Sequence, residues 1–256
     1  MKIAICYNSE KSEAQTVARS LQSVLTGLGI DFYSVREVIE PATDVLCVVG
    51  GDGTLFTYAH FALEYDLPIW FINAGSVGFL AESHEGLSAR AARLNSGDYS
   101  LDARPLLAVS CGDRAYLALN DVCLMRDTRH LQTITLSVAM GGEQVARYRG
   151  DGALVCTAMG STGYALSAGA PIMAPNAEGM LFTPICAHSL AVKPVLFGRD
   201  STVRLCALEP AVLFVDGVSK GVVDGLDVVV RGSDRAVRFV RTEAQSFFAK
   251  IGSKLL

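Results

Sequence analysis

The sequence predicts an α/β domain built on a parallel sheet, followed by a β-rich domain. Two observations carry the first half of that prediction. Strands and amphipathic helices alternate up to about residue 98, and an apolar run at 45–49 breaks at Gly50 and Gly51 and restarts as a helix near Thr54. A third carries the second half: beyond Gly97, long helical patterns give way to short β segments separated by Gly/Asp turns.

Residues 3–7 read as a short buried strand. Ser12-Glu13-Ala14-Gln15 has the form of a capping box, and Ala14, Val17, Ala18, Leu21, Val24, Leu25 and Leu28 then recur at helical spacing up to Gly27 and Gly29. Strands are expected at 31–35, 44–49 and 68–73, a helix at 54–65 between the last two, and a closing helix at about 85–95. These make a first domain of residues 1–98. The second, 99–241, opens with a strand at 106–110, the turn Cys111-Gly112-Asp113 and a β-rich run at 116–125. Hairpins are expected at 134–148 around Gly141-Gly142 and at 226–241 around Gly232-Ser233-Asp234. The last segment, about 242–256, is apolar enough to pack back on the first domain.

Composition bounds the function. Half of the 256 residues are hydrophobic and 19% are charged, the mark of a folded chain with a substantial core. The 22 basic and 26 acidic residues give a net charge of −4 with no Lys/Arg cluster, which argues against nucleic acid or an anionic membrane as partner. Seven cysteines with no C-x-x-C pair lie mostly in apolar strands and read as reduced, buried thiols. The apolar run after Met1 is too short for a secretory signal and no run approaches the ~18 residues of a membrane span, so the expectation is a cytoplasmic protein.

The chemistry is concentrated in Gly50-Gly51-Asp52-Gly53-Thr54. A strand-to-helix turn at the carboxyl end of a parallel sheet is where open α/β folds bind ligands, and glycines let phosphate oxygens approach the backbone. Asp52 does not suit a pure phosphate cradle, because a carboxylate ~4 Å from a phosphate charge costs about 4 kcal/mol at an effective dielectric near 20. It suits a residue that holds a cation or takes a proton, and both roles fit phosphoryl transfer to a hydroxyl. The same residues also fit a glycine-rich β-turn whose aspartate bonds its own backbone. Two familiar nucleotide motifs are excluded: Phe56 stands where G-x-G-x-x-G needs its last glycine, and no G-K-[ST] follows.

Other stretches add to this. Residues 73–80, NAGSVGFL, form a second glycine turn after a strand, placed to flank the same ligand. Asn120-Asp121 interrupts a β-rich run, as a local bulge or as polar groups awaiting a partner. Residues 147–171 carry Asp151 between two glycines and the run Gly160-Ser161-Thr162-Gly163-Tyr164, which suits a nucleoside: hydroxyls for ring nitrogens, glycines for close approach, an aromatic for stacking. Taken singly, Gly-Ser-Thr is also a helix cap and Tyr164 also a core residue. His188 reads as structural, and His60, His84 and His130 offer no metal-ligand spacing. Asp216-Gly217 reads either as an ordinary turn or as a carboxylate facing a cleft.

With these blocks assembled, the chain resembles the NAD kinase family over nearly its whole length. The resemblance rests on GGDGT (50–54), NAGSVGFL (73–80), Asn120-Asp121, GDG (150–152), GSTGYALSAGAPI (160–172), PICAHSLAVKPV (184–195) and VDG (215–217). It implies a Rossmann-like N-terminal domain, a β-rich, sandwich-like C-terminal domain and a site between them. It implies phosphorylation of the adenosine-ribose 2′-hydroxyl of NAD by ATP, or by polyphosphate, with a divalent metal such as Mg²⁺ carried on the nucleotide rather than by protein ligands.

Residue by residue, Asp52 would face the hydroxyl while Gly50, Gly51, Gly53 and Thr54 shape the phosphate loop. Asn120 and Asp121 would contact the ribose and adenine region, Asp151 the nicotinamide side, Ser161 and Thr162 the adenine edge, Gly163 the cofactor backbone and Tyr164 an adenine face. A homo-oligomer, dimer or tetramer, is the further implication. The chain departs from the family pattern at Asp121 (usually Glu), Ala158 (usually Pro) and Gly163 (usually Ala); the first keeps the charge but moves it, and the second loosens the approach to the turn.

Two rivals share the opening motif. A lipid kinase would need an apolar slot and a membrane-facing surface, and the chain has neither a basic amphipathic helix nor a polybasic patch. A non-catalytic nucleotide sensor would gain little from a carboxylate beside phosphates.

Overall fold

The computed structural model describes residues 1–35, 37–75, 78–127, 129, 132–244 and 246–255. Ser76 and Val77 of the second glycine turn, and His130, lie outside the described residues. The chain divides into two compact units, 1–104 with 236–256, and 105–235.

The first unit contains β1 (Lys2–Tyr7), α1 (Ser12–Gly27), β2 (Asp31–Ser34), β3 (Val45–Gly50), α2 (Asp52–Glu64), β4 (Ile69–Asn73) and α3 (Leu87–Ser96). Its strands run parallel in the order β2-β1-β3-β4. Ile3, Ile5, Val45, Cys47, Val49, Trp70 and Ile72 share one core with Val17, Leu21 and Leu25 of α1 and Leu87, Ala91 and Leu94 of α3. The alternate residues, Ala4, Cys6, Leu46, Val48 and Phe71, are equally buried. Burial on both faces is why these strands read as unbroken apolar runs.

The strand order fixes where a ligand belongs. From β1 the chain passes outward to β2, and from β3 it passes the other way to β4. The loops after β1 and β3 therefore diverge at the sheet's carboxyl edge and leave a crevice, the switch point of an open α/β sheet.

The second unit is antiparallel. One sheet has the order β12-β11-β10-β7-β14-β15, formed by β7 (Asp121–Arg126), β10 (Gly152–Cys156), β11 (Met180–Ile185), β12 (Val195–Phe197), β14 (Ala211–Val215) and β15 (Val218–Val223). Facing it are β8 (Ile134–Met140), β9 (Glu143–Gly150), β13 (Thr202–Ala207), β6 (Arg114–Ala118), and the parts of β5 (Ser100–Cys111) and β16 (Val228–Arg241) that lie in this unit. Val122, Leu124, Val155, Phe182 and Leu213 from one layer meet Leu107, Leu136, Val138, Leu205 and Val230 from the other in a single core, the packing of a β-sandwich.

Several local expectations are corrected. The capping box does not form: Lys11 is the N-cap with extended backbone and no side-chain cap, and Ser12 already lies in the helix. Helix α2 starts at Asp52 rather than Thr54. The run 116–125 is two strands, because the backbone N–H groups of Leu119, Asn120 and Asp121 donate to the Asp216 carboxylate at 2.8, 2.7 and 3.2 Å. The expected hairpin at 226–241 is one strand, β16, and its Gly-Ser-Asp is not a turn. Gly232 is needed there for close packing, since a Cβ would stand 2.6 Å from the Arg199 carbonyl oxygen. Among the cysteines, Cys186 is exposed and Cys206 half-buried.

Candidate functional site

Gly50 ends β3 with no room for a side chain: a Cβ would sit 2.5 Å from Thr54 Oγ1. Thr54 is itself buried, and its backbone N–H donates to Gly51 O at 2.9 Å, closing the first turn of α2. Gly51 and Gly53 are exposed, so the positive end of the helix is open to an anion. Asp52 projects from the same turn and is exposed.

The second glycine loop lies beside it. Gly50 and Asn73 are register partners at the ends of β3 and β4, so both loops leave the sheet side by side. Gly78 approaches Asp52 closely, with a Cβ placed only 3.4 Å from Asp52 Oδ1. Asn73 shapes this loop by accepting the Gly75 N–H at 3.1 Å and donating its amide to Gly75 O.

On the β1 side of the switch point, Tyr7, Asn8, Ser9, Glu10, Lys11, Gly53, Thr54, Thr57 and Tyr58 line a pocket of about 250 Å³. The sequence reading missed Asn8, Lys11 and Thr57. No motif marks them, and only the adjacency of β1 and β3 brings them to the loop of Asp52.

In the second unit the sequence-predicted residues do gather. Asn120 and Asp121 sit where β7 begins, and the 157–163 segment, which leads into the short helix α4 (Tyr164–Ser167), is knitted to them. Thr157 N–H donates to Asn120 O at 2.9 Å, and Thr157 Oγ1 donates to Leu119 O at 2.7 Å while accepting from Gly160 N at 3.1 Å. Gly160 is pressed so closely on this strand end that a Cβ would stand 2.1 Å from Asn120 O. The Asn120 amide oxygen is buried without a hydrogen-bond partner among the described residues, the state expected of a group awaiting a ligand or a water. Asp216 and Gly217, at φ of 48° and 76°, form the primed turn between β14 and β15. The Asp216 carboxylate is thus spent on holding residues 119–121.

The remaining residues differ in their freedom to touch a ligand. Tyr164 is exposed, Thr162 and Gly163 are half-buried, and all three are available at the surface. Ser161 is not: it is fully buried, donating to Ala158 O at 2.6 Å and accepting the Met173 N–H at 2.9 Å. Its hydroxyl thus shapes the turn from beneath. Asp151 is half-buried and accepts from Arg126 Nε at 2.8 Å. His188 stands exposed after β11, where its backbone N–H holds Arg149 O.

Electrostatics single out Asp121. Burial, reinforced by the nearby Asp216 carboxylate, pushes its carboxyl up to about 6. Asp216 is also raised by burial, against the lowering effect of its three N–H donors. Among the described residues, no group of three His, Cys, Asp or Glu side chains could hold a metal ion. No helix among the described residues is long and apolar enough to cross a membrane.

Comparison with known proteins agrees with this arrangement. The model of the ATP-NAD kinase N-terminal domain matches residues 5–99, and that of the ATP-NAD kinase C-terminal domain matches residues 119–242. The chain is 34% identical to an NAD kinase of Lachnoclostridium phytofermentans, covering 99% of this chain and 98% of the relative. It is 30% identical to one of Methanothermobacter thermautotrophicus, covering 100% and 96%. An Archaeoglobus fulgidus NAD kinase solved in complex with ATP superposes with a TM-score of 0.82 at 25% identity, covering all of this chain and 98% of that one. Yeast NADH kinase complexed with NADH shares the fold at a TM-score of 0.87 and 21% identity, covering all of this chain and 87% of that one. By both domain matches and by full-length identity, the chain belongs to the ATP-NAD kinase family.

Proposed function

We propose that this chain is an NAD kinase in which Asp52 is the catalytic base. The enzyme transfers the γ-phosphate of ATP to the 2′-hydroxyl of the adenosine ribose of NAD, giving NADP. The observation that carries the assignment of Asp52 is its place in an otherwise side-chain-free turn, at the open N-terminus of α2 and against Gly78. A carboxylate there disfavours phosphate binding alone and favours a reaction that needs a proton acceptor.

In the step itself the ribose oxygen attacks the γ-phosphorus, the bond to the bridging β,γ-oxygen breaks, ADP leaves, and the hydroxyl proton passes to Asp52. The backbone amides of Gly51 and Gly53 receive the phosphate charge, Thr54 closes the turn beneath them, and Gly50 keeps the loop tight against Thr54. Asn8, Lys11 and Thr57 line the adjoining pocket, where the ammonium of Lys11 adds a positive charge for the donor triphosphate. A divalent cation bound by that triphosphate, Mg²⁺ by preference, supplies charge screening. Asn120, Asp121, Asp151, Thr162, Gly163 and Tyr164 hold NAD, with Ser161 supporting their turn. Most of the acceleration in such a reaction comes from positioning and fixed dipoles.

Purified protein with ATP, Mg²⁺ and NAD, followed for NADP by a coupled dehydrogenase, tests the proposal. Asp52→Asn is expected to lose roughly 10²–10⁴-fold in kcat, the usual worth of a general base, while retaining NAD binding. Wild-type turnover in that variant would remove Asp52 from the base role. The same reading makes the protein a cytoplasmic homo-oligomer. Its free cysteines support the first, and exposed Leu190, with exposed Val195 and Leu196 of edge strand β12, supports the second. Light scattering on the purified protein measures its mass.

A further inference from the structure

Helix α5 (Phe247–Leu255) belongs to none of the motifs above, yet it touches the segment that carries Gly78. Three consecutive carbonyls there are held by cations from the last stretch of the chain. Lys250 Nζ donates to Phe79 O at 3.1 Å and to Ala81 O at 3.3 Å, and Arg241 donates to Leu80 O between them at 2.6 Å. The Phe79 ring also meets the Phe247 ring of α5 at 6.0 Å between centroids.

Beyond Ala81 the segment has a separate and stronger anchor. Glu82 N–H donates to Phe71 O at 2.8 Å, and its fully buried carboxylate accepts from Trp70 Nε1 at 2.9 Å and from Thr242 N at 2.8 Å. That anchor does not involve α5, so the fold of this unit does not hang on Lys250. Lys250 binds the stretch between the anchor and Gly78, where a Cβ would come into van der Waals contact with Asp52 Oδ1 at 3.4 Å.

We infer that Lys250 is a positioning residue for the reaction, fixing through the Phe79 and Ala81 carbonyls the approach of Gly78 to Asp52 and so the aim of the base. The inference rests on the assignment of Asp52 made above. A misaligned base slows the chemical step more than it weakens ground-state binding, and displacements near 1 Å cost up to about 10²-fold. Lys250→Met keeps the length of the side chain and removes its donors, whereas Lys250→Arg keeps a cation with donors.

The test is steady-state kinetics on Lys250→Met, Lys250→Arg, Asp52→Asn and the Lys250→Met/Asp52→Asn double variant, with thermal midpoints for each. Lys250→Met is expected to lower kcat about tenfold while leaving KM for NAD within about twofold and the midpoint nearly unchanged, the pattern of an interaction felt only in the transition state. Lys250→Arg should restore most of kcat. In the Asp52→Asn background the methionine should cost nothing further, since there is no base left to aim. Unchanged kcat in Lys250→Met, or an equal fall in both backgrounds, overturns the role of Lys250. Full activity in Asp52→Asn alone overturns the base assignment instead, and the two failures are thereby told apart.

Discussion

Asp121 is a carboxyl placed where charge is disfavoured, buried at the start of β7 and facing Asp216. Because its folded value, about 6, lies above its ordinary 3.8, the folded state keeps the proton longer than the unfolded chain does. The stabilising effect is complete below 3.8 and is lost as pH rises through about 6. Asp121→Asn removes this penalty. Its stability relative to wild type, measured by urea unfolding of the ligand-free protein, is expected to be about 2 kcal/mol more favourable at pH 7.5 than at pH 4.5. An equal difference at the two pH values would mean that Asp121 does not titrate abnormally. The residue scale also separates roles that the motif runs together: in GSTGY, Ser161 is spent on Ala158 and Met173, while Tyr164 is left exposed.

At the scale of elements, glycine misled the sequence reading in one place and guided it in another. Gly50 to Gly53 mark a true strand-to-helix junction. Gly232, with Ser233 and Asp234, mimics a turn but lies inside β16, where its missing side chain admits the backbone of Arg199. Turn composition is a local signal, and close approach of a distant segment is not visible locally. Gly232→Ala should therefore cost about 1–3 kcal/mol, the usual penalty of overpacking, measured as a fall in the urea midpoint without a change in slope. An alanine tolerated there without loss would show that Arg199 can give way. Helix α1 tells a related story. Its apolar spacing correctly gave the buried Val17, Leu21 and Leu25, whereas its capping box was contradicted because the chain enters with Lys11 extended.

For the whole molecule, the decisive property is that each unit has its own buried core while the chemistry is assigned to loops at strand ends. On the proposed function, in which the cation travels on the donor triphosphate, a divalent cation should matter to turnover and not to folding. Adding EDTA is expected to abolish NADP formation, restored by excess Mg²⁺, and to leave the thermal midpoint of the ligand-free protein unchanged. A lowered midpoint would reveal a metal held by the chain itself.

The α/β and β-rich halves, the strands of the parallel sheet and the family are legible in the residue order, because burial on both faces and glycine-dependent turns leave local marks there. The same residue order also singles out Asp52, since a carboxylate is costly in a loop that only cradles phosphate. Only the tertiary structure decided that β1 lies beside β3 and so brings Lys11 to the phosphate loop, that Asp216 is consumed in holding residues 119–121, and that Lys250 reaches the carbonyls next to Gly78. These are contacts between residues far apart in the chain, set by strand order and packing, and nothing in the local pattern around any of them encodes the partner.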